Sequence, residues 1–381
     1  MRAKLSELGA VITGNTPSKQ EPKYWASSDI PFIKPDVINQ YGITEVQTAN
    51  DYISEIARSK ARIAEKNVVL VTCIGTIGKI CITGKECAFN QQINAIIPND
   101  KVLPEYLAYC IYYNRPKLIE LANAPVVPII NKRQFEDFSV NIEESIERQG
   151  STVTILKEVD RLICYRQKQL QKLDDLVKAR FVELFGDGNH PHIALIDLII
   201  EGAGLSYGIV QPGDDGTGDM GVLRPVDMVD GKISTASIKY IDRSIGDGFK
   251  KTELYGDELL ITVRGTTGIT ALTDIRFNGM NVTRGIAVVR YDRNKINPVY
   301  LNAYLNTDES QRYIQEHTRG ATLQQINLSD LRVQQIMVPP LALQEQMAAF
   351  IEQIDKSKAV IQKALDEAQL LFDSLMQQYF G

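Results

Sequence analysis

Val71-Thr72-Cys73-Ile74-Gly75-Thr76-Ile77-Gly78 is an apolar run that breaks into a Gly-Thr-x-Gly turn, and the chain writes it twice. It returns 190 positions later as Ile261-Thr262-Val263-Arg264-Gly265-Thr266-Thr267-Gly268. Working outward, Pro104-Glu105-Tyr106-Leu107 answers Pro298-Val299-Tyr300-Leu301, and Ile130-Asn131 with Phe135 answers Ile326-Asn327 with Leu331. Each copy then runs into a long helical pattern closing on Phe-Gly, at Phe185-Gly186 and Phe380-Gly381. This period far exceeds the roughly 20–50 residues of solenoid repeats. It predicts a duplicated globular domain, each copy followed by its own helix.

The 381 residues suit about two or three domains, and 44% hydrophobic with 23% charged residues predicts packed cores rather than disorder. No apolar run reaches the length of a membrane span, and Met1-Arg2-Ala3-Lys4 leads into no signal core. A soluble, cytoplasmic protein with no membrane partner is expected. The five cysteines form no Cys-x-x-Cys pair and read as reduced packing residues. Net charge is −5; residues 1–145 carry 16 basic and 16 acidic side chains, and residues 188–342 carry 15 and 18. Neither copy has a blanket positive field, so a nucleic-acid partner requires basic groups gathered on one face.

Within the first copy, Ile30–Ile33, Val68–Val71, Cys81–Thr83 and Ile93–Ile97 read as strands, and Pro104 opens a helix. In the second, Ser206-Tyr207-Gly208-Ile209-Val210-Gln211-Pro212-Gly213-Asp214-Asp215-Gly216 replaces the shorter Thr13-Gly14-Asn15-Thr16-Pro17-Ser18 loop. A shared framework with divergent loops suits two recognition modules. The helices carry apolar residues at steps of three and four. Leu156, Val159, Ile163, Leu170, Leu173, Val177 and Leu184 mark the first, with Arg166 and Arg180 in its seam. Ile351, Ile354, Ile361, Leu365, Ala368, Phe372, Leu375 and Tyr379 mark the second, with Lys358 in its seam. Such heptads predict a coiled coil of two rods about 50 Å long, packed on each other; the alternative is that each lies along its own domain.

Reactive groups are thin. His190, His192 and His317 lack metal-site spacing, Gly202-Ala203-Gly204 opens no dinucleotide loop, and no phosphate-binding loop or flipped-base tetrapeptide is present. The chain is read as non-catalytic. The two Gly-Thr-x-Gly turns have a bland reading, glycine supplying positive φ to a hairpin, beside a functional one, backbone amides meeting a phosphate.

These features together resemble the specificity subunits of type I restriction–modification systems. The Gly-Thr-x-Gly strands, the opening loops and the Pro339-Pro340-Leu341-Ala342-Leu343-Gln344-Glu345-Gln346 approach to a helix carry the resemblance. So do the helix endings, Arg180-Phe181-Val182-Glu183-Leu184-Phe185-Gly186-Asp187 in the first copy. The other approach, Ile142-Glu143-Glu144-Ser145-Ile146-Glu147-Arg148-Gln149, departs from the Pro-Leu-x-x-Gln pattern.

The resemblance implies an α+β fold of two duplicated mixed α/β target-recognition domains separated by two long antiparallel coiled-coil helices. It divides the chain into a first recognition domain at 1–144, a helix at 145–187, a second recognition domain at 188–341 and a helix at 342–381. It implies a subunit of a DNA adenine methyltransferase and restriction complex. Each domain would read half of a split double-stranded DNA site, with the helices fixing the spacer. Two methylation subunits, bringing S-adenosylmethionine, would dock on this chain, which binds no cofactor itself, and motor–nuclease subunits would join them. A non-catalytic protein–protein scaffold built on the coiled coil is the alternative.

For DNA contact the first copy offers Lys34, Arg58, Lys60, Arg62, Lys79, Gln91, Gln92, Lys132 and Arg133. The second offers Arg224, Lys250, Lys251, Arg264, Thr266, Arg284, Arg319, Gln324 and Gln325. These are residue types that meet phosphates and base edges. Each alone is equally at home as a solvated surface residue. Arg58, Lys60 and Arg62 alternate as though projecting from one side of an extended segment. Arg264 has the bland reading of a salt bridge to Asp257 or Asp274.

Overall fold

The computed structural model describes residues 1–40, 42–122, 127–186, 188–210, 213, 218–229, 231–320 and 323–381. Chain contacts divide into two units. The first is Met1–Lys168 with Ile361–Gly381, the second Gln169–Val360. Each is a mixed α/β body.

In the first unit, a five-stranded sheet runs in the order Gly9–Thr13, Ile93–Pro98, Val69–Thr72, Ile80–Thr83, Ile43–Val46. A four-stranded sheet runs Asp51–Ile53, Ile30–Ile33, Cys87–Phe89, Ile63–Ala64, with a parallel pairing at its centre. The central strands are buried on both faces, which is why they read as unbroken apolar runs. In the second unit, Ser206–Tyr207, Ile286–Val289, Leu259–Thr262 and Thr270–Leu272 form one sheet. Lys239–Ile241, Met220–Leu223 and Asn281–Val282 form another, again with a parallel pair. Much of the opening loop Ser206–Gly216 lies outside the described residues.

Pro104 occupies the first turn of helix Pro104–Tyr113, and Pro298 that of Pro298–Leu305. At that position proline's missing N–H costs no hydrogen bond. The Asn297 side chain caps the second by accepting from Val299 and Tyr300 N–H.

The two long helices span Ile146–Phe185 and Leu341–Phe380, 40 residues each. At about 1.5 Å per residue each is about 60 Å long, more than the expected 50 Å. Both start earlier than their apolar seams because a buried glutamine anchors the first turn. Gln149 accepts from Leu103 N–H (2.8 Å) and donates to the Lys101 and Glu143 carbonyls (2.9 and 2.7 Å). Gln344 accepts from Asn297 N–H (2.8 Å) and donates to the Pro339 carbonyl (2.7 Å). The first approach, whose sequence departs from the pattern, therefore has the same anchor.

The halves of each helix belong to different units. In the first unit, Val153, Leu156, Val159 and Ile163 share a core with Leu365, Ala368, Phe372, Leu375, Met376 and Phe380. Tyr106 packs on Phe380, ring centroids 5.1 Å apart. In the second, Val177, Phe181, Leu184 and Phe185 share a core with Met347 and Ile351, and Phe181 stacks on Tyr300. Within each unit the early part of one helix thus meets the late part of the other. Ile354 is buried, whereas Leu170, Leu173 and Ile361 are half-buried. The seam cations find partners: Lys358 donates to Asp174, and Arg180 pairs with Glu183 and lies over Phe350.

Candidate nucleic-acid interface

Strand Val69–Thr72 delivers the chain into the turn Cys73–Gly78, where Gly75 and Gly78 take φ of 77° and 78°. That left-handed conformation is what favours glycine there. The Thr72 hydroxyl accepts from Lys79 N–H and donates to the Thr76 carbonyl, locking the turn internally. Backbone bonds stitch it between two neighbours. Cys73 N–H donates to the Gln92 carbonyl (2.7 Å), while Gly75 N–H reaches the Pro128 carbonyl (3.0 Å) and Ile130 N–H the Cys73 carbonyl (2.8 Å).

The opening loop closes over the same place. A Cβ at Gly14 would sit 2.1 Å from the Asn90 carbonyl oxygen, so only glycine allows this approach. Thr16 donates to Gln91 (2.6 Å), and the Asn15 amide donates to the Lys60 carbonyl and accepts from Arg62 N–H. Lys60 and Arg62 are thereby drawn to the rim beside Gln91 and Gln92.

The second unit repeats this wiring. Val263 N–H donates to Gly285, Gly265 N–H to Gln324, Ile326 N–H to Val263, and Ile269 N–H to the Thr262 hydroxyl. Gly265 and Gly268 have φ of 87° and 89°, and Gly208 crowds the Val282 carbonyl as Gly14 crowds Asn90. By these bonds Arg284 stands where Gln91 stands. The hairpin reading of both turns describes the backbone; it leaves their outward groups open to a ligand.

The candidate cations differ in freedom. Arg58 corrects the sequence reading: Glu55–Lys60 is a short 3-10 helix, not an extended strand, and the Arg58 guanidinium is held by Glu55 and Glu86. That ion pair keeps the Glu86 carboxyl below the usual carboxylate range. Arg58 therefore does not share an extended face with Lys60 and Arg62. Lys34 pairs with Asp51, and Lys79 donates to the Pro35 carbonyl (2.8 Å). The Gln92 side chain accepts from the Asn90 amide. Lys132 and Arg133, on the helix after Ile130, lie 3.4 and 3.9 Å from Glu136 and Asp137.

In the second unit, Arg224 is gripped by the fully buried Asp227. Lys250 and Lys251 are exposed on Asp247–Thr252, away from the turn in sequence. Arg264 and Thr266 sit on the turn, the Gln324 carbonyl accepts from Gly265 N–H, Gln325 pairs with Arg264, and Arg319 pairs with Gln325 while lying 3.6 Å from Asp330. The acids proposed for Arg264 are engaged elsewhere: Asp257 by Tyr291 and Arg293, Asp274 by Arg276.

Two residues absent from the sequence reading cover the far side of these turns. The Arg115 side chain lies against Gly78, 2.7 Å from an ideal Cβ, and donates to the Gln40 carbonyl (2.8 Å). Gln311 donates to the Gly268 and Leu305 carbonyls (2.9 and 2.7 Å). Neither lies in a repeated block, so only the packing reveals them.

The Cys73 thiol is pushed up to about 12 by burial, and no group of three or more metal-binding side chains occurs among the described residues. No helix among the described residues is long and apolar enough to cross a membrane. The arrangement suits recognition: a glycine-turn platform rimmed by guanidinium, ammonium and amide groups.

Comparison with known proteins follows the same lines. The family described as the type I restriction modification DNA specificity domain matches residues 1–174 and 219–369. The HindI specificity subunit of Haemophilus influenzae is 41% identical over 104 residues, 27% of this chain and 22% of the relative. The EcoBI specificity subunit of Escherichia coli is 24% identical over 45% of this chain and 36% of its own length. The chain thus spans well under half of those two relatives. The MjaIX specificity subunit of Methanocaldococcus jannaschii is 21% identical over 98% of this chain and 90% of its own. Among solved structures, a type I restriction–modification S subunit from M. genitalium covers 100% of this chain and 96% of its own at 12% identity, with a TM-score of 0.61. A chain from a structural study of the type I R-M system covers 100% and 97% at 14% identity, TM-score 0.53.

Proposed function

We propose, from the premise that this chain belongs to the type I restriction modification DNA specificity family, that it is the DNA sequence-reading subunit of such a complex. Each unit is a copy of one target-recognition domain and reads one half of a split double-stranded site. The paired helices act as a coiled-coil ruler for the unread spacer and as the dock for two methylation subunits. Those subunits bring S-adenosylmethionine, and this chain contributes recognition rather than bond chemistry. Motor–nuclease subunits join the same assembly when it restricts.

One observation carries this reading: the same backbone wiring recurs around both Gly-Thr-x-Gly turns while the side chains on their rims differ. A fixed frame with different polar rims is what reading two different half-sites requires.

A module exchange tests it. Residues 194–340 are replaced by the equivalent module of a relative, and the complex with its methylation subunits is assayed on a duplex library. One half of the recognised site should change and the other stay. A change in both halves, or binding with no sequence preference in the unaltered complex, refutes the assignment.

A further inference from the structure

The turns do not stand alone; each is the middle or edge of a cross-strand rung. In the second unit Arg264 pairs antiparallel with Gln325, and Gln325 pairs in turn with Arg319. The bonds Gly265 N–H to Gln324 and Ile326 N–H to Val263 leave Arg264 and Gln325 themselves as the non-hydrogen-bonded pair. That is the class in which side chains stand closest, with Cα atoms about 4.5 Å apart. Arg319 and Gln325 exchange both backbone bonds. Laterally paired residues leave a sheet on the same face. Val263 and Ile326, the alternating neighbours, are fully buried, so the rung faces outward. Arg264 and Gln325 are half-buried and have no ion pair or side-chain hydrogen bond among the described residues, which leaves their polar ends open to a ligand.

The equivalent rung of the first unit is Ile74 with Ile129, defined by the same two backbone bonds from Gly75 and Ile130. Its neighbours Cys73 and Ile130 are buried, while Ile129 is 41% exposed. One backbone position thus presents guanidinium and amide in one unit and two bare isoleucines in the other.

We infer that this rung is a base-reading element at which the two units discriminate. The inference rests on the DNA-reading role proposed above. An arginine takes the N7 and O6 of guanine bidentately, and a glutamine the N6 and N7 of adenine. Two side chains rooted on Cα atoms about 4.5 Å apart can reach neighbouring base pairs stacked about 3.4 Å apart. Arg264 and Gln325 therefore read adjacent purines in the half-site of the second unit. Arg319, tied to Asp330 and 70% exposed, flanks them toward the backbone. The Ile74–Ile129 rung offers no hydrogen bond and meets the 5-methyl of thymine, the apolar mark of the major groove.

The test uses the full chain in complex with its methylation subunits and a duplex pool randomised over both half-sites. Arg264→Lys keeps the positive charge but loses the bidentate fork, and Gln325→Ala removes the amide. Each should lower discrimination at one base pair of the second half-site by roughly ten- to a hundredfold, at adjacent positions, with unchanged melting temperature. Replacing thymine by deoxyuridine in the first half-site should weaken binding about fourfold at one position, the value of one methyl group. Uniform weakening across all sequences would make the rung a phosphate contact and overturn the inference. So would retained preference in both variants, or indifference to deoxyuridine at every thymine. If the unaltered complex shows no preferred sequence at all, the DNA-reading role itself fails, an outcome distinct from these.

Discussion

Replacing Gln149 by leucine removes three hydrogen bonds from a fully buried side chain while keeping its shape. The Leu103 N–H is left without a partner at the entrance to helix Pro104–Tyr113, and the Lys101 and Glu143 carbonyls each lose one donor. An orphaned buried N–H costs about 1–3 kcal/mol and carbonyls with a second lone pair cost less, which puts the whole loss at about 3–5 kcal/mol. For a unit of this size that lowers its melting temperature by on the order of 10 °C. The equivalent Gln344→Leu removes two bonds. It should cost about 2–3 kcal/mol, in the second unit's transition. Differential scanning calorimetry of the full chain, with urea melts followed by circular dichroism, measures both. Gln149→Glu adds a control: it keeps the acceptor for Leu103 but turns a carboxylate toward two carbonyls, so its loss should shrink as the solution is acidified. A cost below about 1 kcal/mol for Gln149→Leu would be that of an ordinary surface hydrogen bond. It would refute the idea that these glutamines anchor the helices.

Inserting one heptad at matched exposed positions in both long helices should lengthen the unread spacer by about 10 Å, or about three base pairs, with both half-sites unchanged; methylation mapping of an unaltered gap would dismiss the ruler. Arg62→Ala should weaken cognate binding severalfold in a titration, whereas Arg58→Ala should leave DNA affinity intact and barely move the melting temperature, because its ion pairs with Glu55 and Glu86 are open to solvent. The stability from the Arg58–Glu86 pair is present above the ordinary Glu value of 4.5 and is lost as pH falls through the lowered Glu86 value. Asp160 behaves oppositely: burial raises its pKa above 3.8, so its charged form opposes folding at neutral pH and that penalty vanishes as pH falls below 3.8. Asp160→Asn should therefore raise the melting temperature at pH 7 and make no difference in acid.

What was legible in the sequence was whatever the backbone framework repeats. The Gly-Thr-x-Gly turns need positive φ at defined places, so their glycines persist and can be matched across the chain. The first-turn prolines and the apolar helix positions follow the same logic. The alternation of Arg58, Lys60 and Arg62 suits an extended segment, whereas Ser54 and Glu55 start a tight helical turn that gives Arg58 two carboxylates. Arg115 and Gln311 carried no readable signal, since covering a turn from outside depends on tertiary packing. The pairing of Arg264 with Gln325 was equally invisible: each was a candidate alone, and only the ladder makes them neighbours.

The division of each long helix between two cores bears on how the chain is made. Phe372, Met376 and Phe380 complete a core whose other members begin at Ala3, and Tyr113 hydrogen-bonds Gln377 across 264 residues. During synthesis the first unit emerges early but lacks its closing wall until residue 380 has left the ribosome, by which time the second unit, Gln169–Val360, already has its entire sequence. The second unit can thus fold on a continuous stretch while the first waits with apolar surface uncovered. Contacts of such long sequence separation form slowly. A stop codon near residue 365 would therefore injure the N-terminal unit most, and chaperone demand should track the interval between translating residue 168 and residue 380.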